Sequence, residues 1–258
     1  MKRIKRLAVL GVILLSSFLF PGQSFAEEGD TLPIPNINID IGSGTGDPAG
    51  TASTVTIVLL ITILSLAPAI LVLMTSFTRI VIVLGFVRTS LSTQQMPPNQ
   101  VLIGLALFLT LFVMSPTLAE INKVAFQPYM AGEITQNEAL SRAALPLKEF
   151  MGKHTREKDL KLFLDYSRAD RPTGIADTPL TALIPAFAIS ELKSAFQMGF
   201  MIFVPFLVID MIIASTLMSM GMMMLPPVMI SLPFKVLLFI LVDGWYLVVK
   251  SLLVSFNS

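Results

Sequence analysis

The sequence predicts an all-α, integral-membrane-type protein in which two apolar helical hairpins flank a small polar helical insert. Three observations carry this. First, 54% of the 258 residues are hydrophobic, only 14% are charged and mean hydropathy is +0.78, whereas soluble domains carry about 25% charged residues. Second, apolar stretches long enough to cross a bilayer recur at residues 54–78, 101–119, 180–224 and 228–256. Third, the charge gathers in one interval, 122–181, which holds nine Lys/Arg and eight Asp/Glu.

The N-terminus has the three parts of a signal peptide over residues 1–26. Lys2, Arg3, Lys5 and Arg6 form a basic start, residues 7–20 are apolar, and Ser24-Phe25-Ala26 is a small-x-small cleavage site with Ala26 as last residue. An uncleaved first membrane helix is the competing reading. Cleavage is favoured because the apolar part is short and Pro21-Gly22 ends it. Residues 27–53 are rich in Gly, Pro, Asn and Asp and lack basic residues, which reads as a disordered acidic arm.

Residues 54–121 form the first apolar hairpin. Its first arm is uncharged to Thr78, with Pro68 as the expected kink. Arg79 and Arg88 follow in "FTRIVIVLGFVRTSL", and Met96-Pro97-Pro98-Asn99 supplies the turn into residues 101–119. The insert, 122–181, is helical by spacing. Leu147, Phe150, Met151 and His154 fall at i, i+3, i+4, i+7, and Leu160, Phe163 and Leu164 repeat the pattern. His154 on that face is a packing or cap residue. Thr178 as N-cap with Pro179 in the first turn opens the next helix.

Residues 182–258 form the second apolar hairpin, with a Met-rich loop. Its first arm runs to Met224, where Pro226-Pro227 ends it, and carries Glu191, Lys193 and Asp210; the second arm carries Lys235, Asp243 and Lys250. A charge at the centre of a membrane helix costs about 2.5–3.5 kcal/mol on insertion scales, so it seeks a partner. Glu191 and Lys193 are too close to face one another on a helix. Asp210 and Lys235 are the better pair, although arms measured to the Pro226-Pro227 turn are unequal, so a bridge needs a kink or a contact between subunits. With an outside N-terminus, four crossings place Arg79, Arg88 and the Pro226-Pro227 turn inside and the insert outside, in weak agreement with positive-inside bias.

Enzyme chemistry is disfavoured. The chain has no cysteine and one histidine, so neither a thiolate nucleophile nor an H-E-x-x-H zinc site exists. His154 lies in the insert, away from any membrane serine, and Asp210 and Asp243 lack the Gly-x-Gly-Asp setting of an aspartyl protease. No cofactor is expected, and a net charge of +1 makes no case for nucleic acid. Nine of the fifteen methionines lie between Met198 and Met229. Unbranched and adaptable, they favour a deformable loop at Met222, Met223 and Met224, with Gly221 before it and Pro226 and Pro227 after it. A small-solute or ion transporter subunit is the alternative. It would often carry internal repeats, and the two hairpins do not resemble each other.

"PAFAISELKSAFQMGF" at 185–200 and "VPFLVIDMIIASTLMSMGMMMLPP" at 204–227 closely resemble the two signature regions of the FliP family, the core of the flagellar type III export gate. "LTLFVMSP" at 109–116 and "SFTRIVIVLGFVR" at 76–88 also look like that family. The signal peptide and arm favour the flagellar branch over the injectisome one. The resemblance implies a multi-pass protein of the bacterial cytoplasmic membrane in the flagellar basal body. It implies a homo-oligomeric ring of five copies, joined by FliQ-like and FliR-like export-gate subunits and other flagellar export proteins, through which unfolded flagellar cargo passes. It further implies that the apolar segments pack largely on each other above the membrane plane. It makes Met222, Met223 and Met224 a gasket, and Asp210, Lys235 and Glu191, with Arg79 and Arg88, buried charges for assembly or gating.

Cleavage after Ala26 is expected. N-terminal sequencing or intact-mass measurement of membrane-purified protein checks this, and a mature chain still starting at Met1 would overturn the cleavage and the outside placement of the arm.

Overall fold

A computed structural model describes residues 48–93, 95–167, 172–222 and 224–257 of the chain. The signal peptide with Ala26, the arm up to residue 47, and Met223 lie outside these residues. Among the described residues the chain is helical, with no strand. Its elements are α1 (Pro48–Met74), α2 (Phe77–Ser90), α3 (Asn99–Ile121), α4 (Gln127–Met130), α5 (Gln136–His154), α6 (Glu157–Ser167), α7 (Leu180–Ser219), α8 (Pro227–Leu241) and α9 (Gly244–Asn257).

Several boundaries differ from the sequence expectation, each for a local reason. Helix α1 already covers residues 48–53, which the sequence assigns to the disordered arm. The same helix passes Pro68 without a break, and the change of direction comes at Thr75-Ser76, where residues 64–74 meet α2 at 66°. Hydroxyls serve the carbonyls freed there: Thr75 Oγ1 donates to Leu71 O and Thr78 Oγ1 to Val72 O. Helix α3 does not stop at the edge of the insert. It continues through a π-helical turn, Asn122–Phe126, into α4 as one apolar helix of 32 residues, Asn99–Met130. Pro179, not Thr178, is the N-cap of α7; the Thr178 hydroxyl is instead buried and donates to Gly174 O. The last apolar stretch is broken at Val242-Asp243, where α8 and α9 meet at 63° and Asp243 adopts φ +51.

Two clusters form the core within residues 60–258. In the larger, Ile80, Val83, Leu84 and Val87 make a continuous helical stripe on α2. Leu102 and Ala106 of α3, Ala195 and Phe206 of α7, and Val248 and Leu252 of α9 close around it. The smaller cluster ties the insert to α7: Met151 of α5 is fully buried against Leu183 and Phe187, with Leu147, Phe150 and Leu160 around them. Helices α2 and α7 run parallel, since Arg79 meets Glu191, Phe86 meets Gly199, and Ser90 lies at the level of Asp210 through Lys235.

Much apolar surface stays uncovered. Phe108 is 75% exposed, Met201 73% and Leu241 75%, which marks faces meant for a membrane or for other subunits. Helices Asn99–Met130 and Leu180–Ser219 are each long and apolar enough to cross a membrane, and each bent pair adds a further candidate if it acts as one span.

The approach of α2 to α7 depends on Gly199. A Cβ there would stand 2.4 Å from the Phe86 ring, so overpacking of about 1–3 kcal/mol is expected for Gly199→Ala. Thermal unfolding of the detergent-extracted protein should show the loss, and Phe86→Leu should recover part of it. An unchanged melting temperature in Gly199→Ala would contradict the close packing.

Candidate functional site

The tip of the α7–α8 hairpin is built by an early helix stop. Apolar sequence runs to Met224, yet α7 ends at Ser219. Gly221 takes φ +76, its N–H donates to Met218 O and that of Met222 to Leu217 O, both at 3.0 Å. This is a Schellman cap, whose left-handed position favours glycine. Pro226 and Pro227 do not end the first arm. They are the N-cap and first residue of α8, where a missing N–H does no harm. Between the helices, Met220 is 62% exposed, Met222 39% and Met224 98%.

The early stop also evens the arms. Asp210 lies nine residues before Ser219, and Lys235 eight residues after Pro227. The two therefore meet within one chain, Lys235 Nζ to Asp210 Oδ2 at 2.6 Å, with neither a kink nor a second subunit. The Lys235 side chain is 1% exposed, and its ammonium also donates to Ser90 O at 3.2 Å and Ser92 Oγ at 2.8 Å. Ser231, one turn before Lys235, donates its hydroxyl to the other Asp210 oxygen. Charge-assisted bonds of this kind are the stronger ones.

A second pair lies deeper. Arg79 of α2 donates through Nε to Glu191 Oε2 at 2.9 Å and through Nη2 to Oε1, a bidentate fork. Glu191 is wholly buried. The remaining Nη1 reaches Ser255 O and Oγ of α9, both at 3.0 Å, and the guanidinium sits 4.0 Å from the centre of the Phe256 ring. Arg88 differs from the expectation of a buried charge: it is half-buried and latches the turn before α3 through Asn99 Oδ1 and Pro97 O. Met222 and Met224 share the hairpin tip with Gly221, Pro226 and Pro227, whereas Arg79 and Glu191 lie at the other end of α7.

Sequence reasoning missed the polar partners. Ser255 and Phe256 hold Arg79, while Ser231 and the Ser90–Ser92 turn hold the Asp210–Lys235 pair. It also missed the bond from Ser190 Oγ of α7 to Asp159 Oδ2 of α6 at 2.7 Å. Burial raises the pKa of Asp159, but hydrogen bonds from Ser190 and Arg156 and the Arg156 charge outweigh it and hold the carboxyl below its ordinary value. Spacing was one usable signal: Ser231 and Lys235 are four apart on one face of α8. His154 stacks edge-on against Phe150 and Phe256. Burial, then the Arg79 and Lys153 charges, push its pKa down to about 4, so it is neutral at pH 7. Among the described residues no cluster of His, Asp or Glu forms a metal site.

Asp210→Ala strands a Lys235 side chain that is 1% exposed, although Asp210 itself is 27% exposed, so the about 3–5 kcal/mol for breaking a fully buried pair is an upper bound on the cost. Less assembled membrane complex is expected, with recovery when Lys235→Met is added. Exchanging the two charges should restore less, because a carboxylate at 235 would face the Ser90 carbonyl. Complex yield on native gels measures all three, and an exchange that matches the neutral double variant would refute this geometry.

Comparison with known proteins agrees with these motifs. The FliP family matches residues 60–252. The flagellar biosynthetic protein FliP of Bacillus subtilis (strain 168) is 71% identical over 192 residues, 74% of this chain and 87% of that protein. The FliP proteins of Pectobacterium carotovorum subsp. carotovorum and Caulobacter vibrioides are each 53% identical, covering 74% and 75% of this chain and 74% and 73% of their own lengths. The chain therefore belongs to the FliP family, as a membrane-associated component of the flagellar export apparatus and not an enzyme.

Proposed function

We propose that the chain is a pore-forming core subunit of the flagellar type III export gate, conducting unfolded flagellar subunits across the cytoplasmic membrane. The supporting observation is the exposed methionine loop at the tip of a hairpin braced by Asp210–Lys235. A ring of copies, five by family resemblance, with FliQ-like and FliR-like subunits, would set such loops around one axis. Thioether side chains are apolar enough to dewet a constriction and flexible enough to conform to a passing chain. The brace holds the helices while the loop between them yields. In this reading the protein is multi-pass, the insert at 122–181 faces outside, and the uncovered apolar faces meet neighbouring subunits or lipid.

Changing Met222, Met223 and Met224 together to Ala should widen the constriction, so that ion leakage rises while the complex still assembles. Val at all three should seal better than Ala and deform less. Membrane conductance in cells making each variant is the measurement. An assembled triple-Ala complex as ion-tight as the parent would remove the gasket and leave the methionines as packing.

A further inference from the structure

His154 is the one histidine of the chain, and it stands where the polar insert meets the bundle. It is the last residue of α5, and the ring it packs on, Phe256, lies in the last turn of α9. The imidazole meets the Phe256 ring edge-on, with centroids 5.3 Å apart, and the Phe150 ring at 5.0 Å. Phe150 in turn stacks on Phe256 at 6.4 Å and meets Phe187 of α7 edge-on at 6.0 Å. These rings form one joint between α5, α7 and α9. The same Phe256 ring carries the Arg79 guanidinium 4.0 Å from its centre, so the imidazole is one ring away from the Arg79–Glu191 fork. Water reaches it too, because His154 is half-buried and lines a cleft of about 550 Å³ between α3, α5 and α9.

We propose that neutral His154 is a positioning residue: it holds Phe256 against Arg79, and acid that charges the imidazole loosens the joint between the insert and the bundle. The groups around it fix the sign. Burial opposes an imidazolium first, then the cations Arg79 of α2 and Lys153 of α5. Glu191 of α7 gives no relief, since both its oxygens are committed to Arg79. Arg156, two residues on, is paired with Asp159 of α6. Glu120 of α3 and Glu149 of α5 line the same cleft and favour a cation, but both are exposed and screened by water. From α9 the cleft receives Leu253, Phe256 and Asn257, none of them titratable. A helix C-terminus also favours a cation, yet two of its carbonyls here are taken, Met151 O by the Thr155 hydroxyl and Gly152 O by the Thr155 N–H. The balance puts the imidazole at about 4, whereas a histidine released from the joint titrates near 6.5. The joint therefore has its full stability above pH 6.5 and loses it as pH falls from there toward 4. None of this rests on the pore reading. Where the insert faces outside, as that reading has it, the acidity of the external medium is what acts on His154.

The test uses the chain as extracted from membranes in detergent, made without a histidine tag so that its single imidazole gives a single signal. Carbon-13 NMR of the labelled histidine should show a titration below pH 5. Hydrogen exchange read by mass spectrometry, corrected for the intrinsic pH dependence of exchange, then follows the joint. Amide protection over the ends of α5 and α9 should fall roughly ten- to thirtyfold from pH 7.5 to pH 5.0, while the Ile80–Val87 stripe of α2 stays protected. His154→Phe keeps a ring and cannot titrate, so it should match the parent at pH 7.5 and lose the acid-driven fall. His154→Gln should show weaker protection at both pH values, and likewise no fall. Because carboxylates elsewhere titrate equally in parent and variants, the difference between them reads position 154 alone. A fall of the same size in the parent and in His154→Phe would overturn the proposal, as would protection in the parent that does not change with pH. The NMR titration needs no variant, and an imidazole titrating at pH 6.5 or above would overturn it independently.

Discussion

The bidentate Arg79–Glu191 pair is the constraint on which the bundle depends. A charge in an apolar interior is tolerable only when its partner and its remaining donors are satisfied, and here every arm of the guanidinium is used: two nitrogens on Glu191, the third on Ser255, the flat face on Phe256. One side chain on α2 therefore fixes where α7 and α9 lie. Because α2 and α7 run parallel, the next contacts follow in order. Gly199 admits the Phe86 ring, and beyond it Lys235 links the end of α2 to Asp210. Glu191 and Asp210 are 19 residues apart, about 28 Å along the helix. α7 is thus held near both ends by ion pairs and between them by packing.

This division separates a rigid part from a compliant one. Below the Asp210–Lys235 pair, the buried Arg79 and Glu191 side chains are paired and the apolar stripe of α2 is packed against α7 and α9. Above it, α7 closes with a Schellman cap and α8 opens with a proline, so each helix satisfies its own end and the loop between them, 220–226, is left to its side chains. Methionine in such a loop keeps rotamer freedom that a β-branched residue would lack. The stability of the bundle and the softness of its tip come from different residues, which lets one change without the other.

Much of this was legible in the sequence, and the exceptions share a cause. The helical class, the polar insert and the Met–Gly–Pro loop follow from composition, charge clustering and turn chemistry, all local properties. What failed was deciding which of several local signals wins. Pro68 reads as a kink, but a proline can pass within a helix when neighbouring groups take up the freed carbonyl, and the turn fell at Thr75-Ser76, where two threonine hydroxyls serve freed carbonyls. The end of α7 was placed at Pro226 because proline is the stronger breaker, yet Gly221 acted first. That shift is why the Asp210 and Lys235 arms looked unequal. Ser255, Ser231 and Ser92 were invisible because a serine's role as partner depends on what folds against it. Arg88 was grouped with Arg79 by sequence, but its neighbours at Pro97 and Asn99 leave it half-buried at a turn.

The two bent pairs bear on what the apolar helices are for. A span needs about 20 residues to cross roughly 30 Å of hydrocarbon. α2 has 14, α8 has 15 and α9 has 14, so none of these three crosses alone, and a crossing by α8 and α9 requires the pair to act across a 63° bend. The bends are not incidental. Phe239 reaches across the second one to Gly244, where a Cβ would meet its ring at 2.3 Å, and Asp243 takes a left-handed conformation to allow it. The first is held by Thr75 and Thr78. Short helices that turn sharply and then present charged groups to a 40-residue partner are shaped by that partner. α7, about 60 Å long, exceeds the hydrocarbon thickness twofold, so a crossing along the bilayer normal leaves part of its length among protein or water.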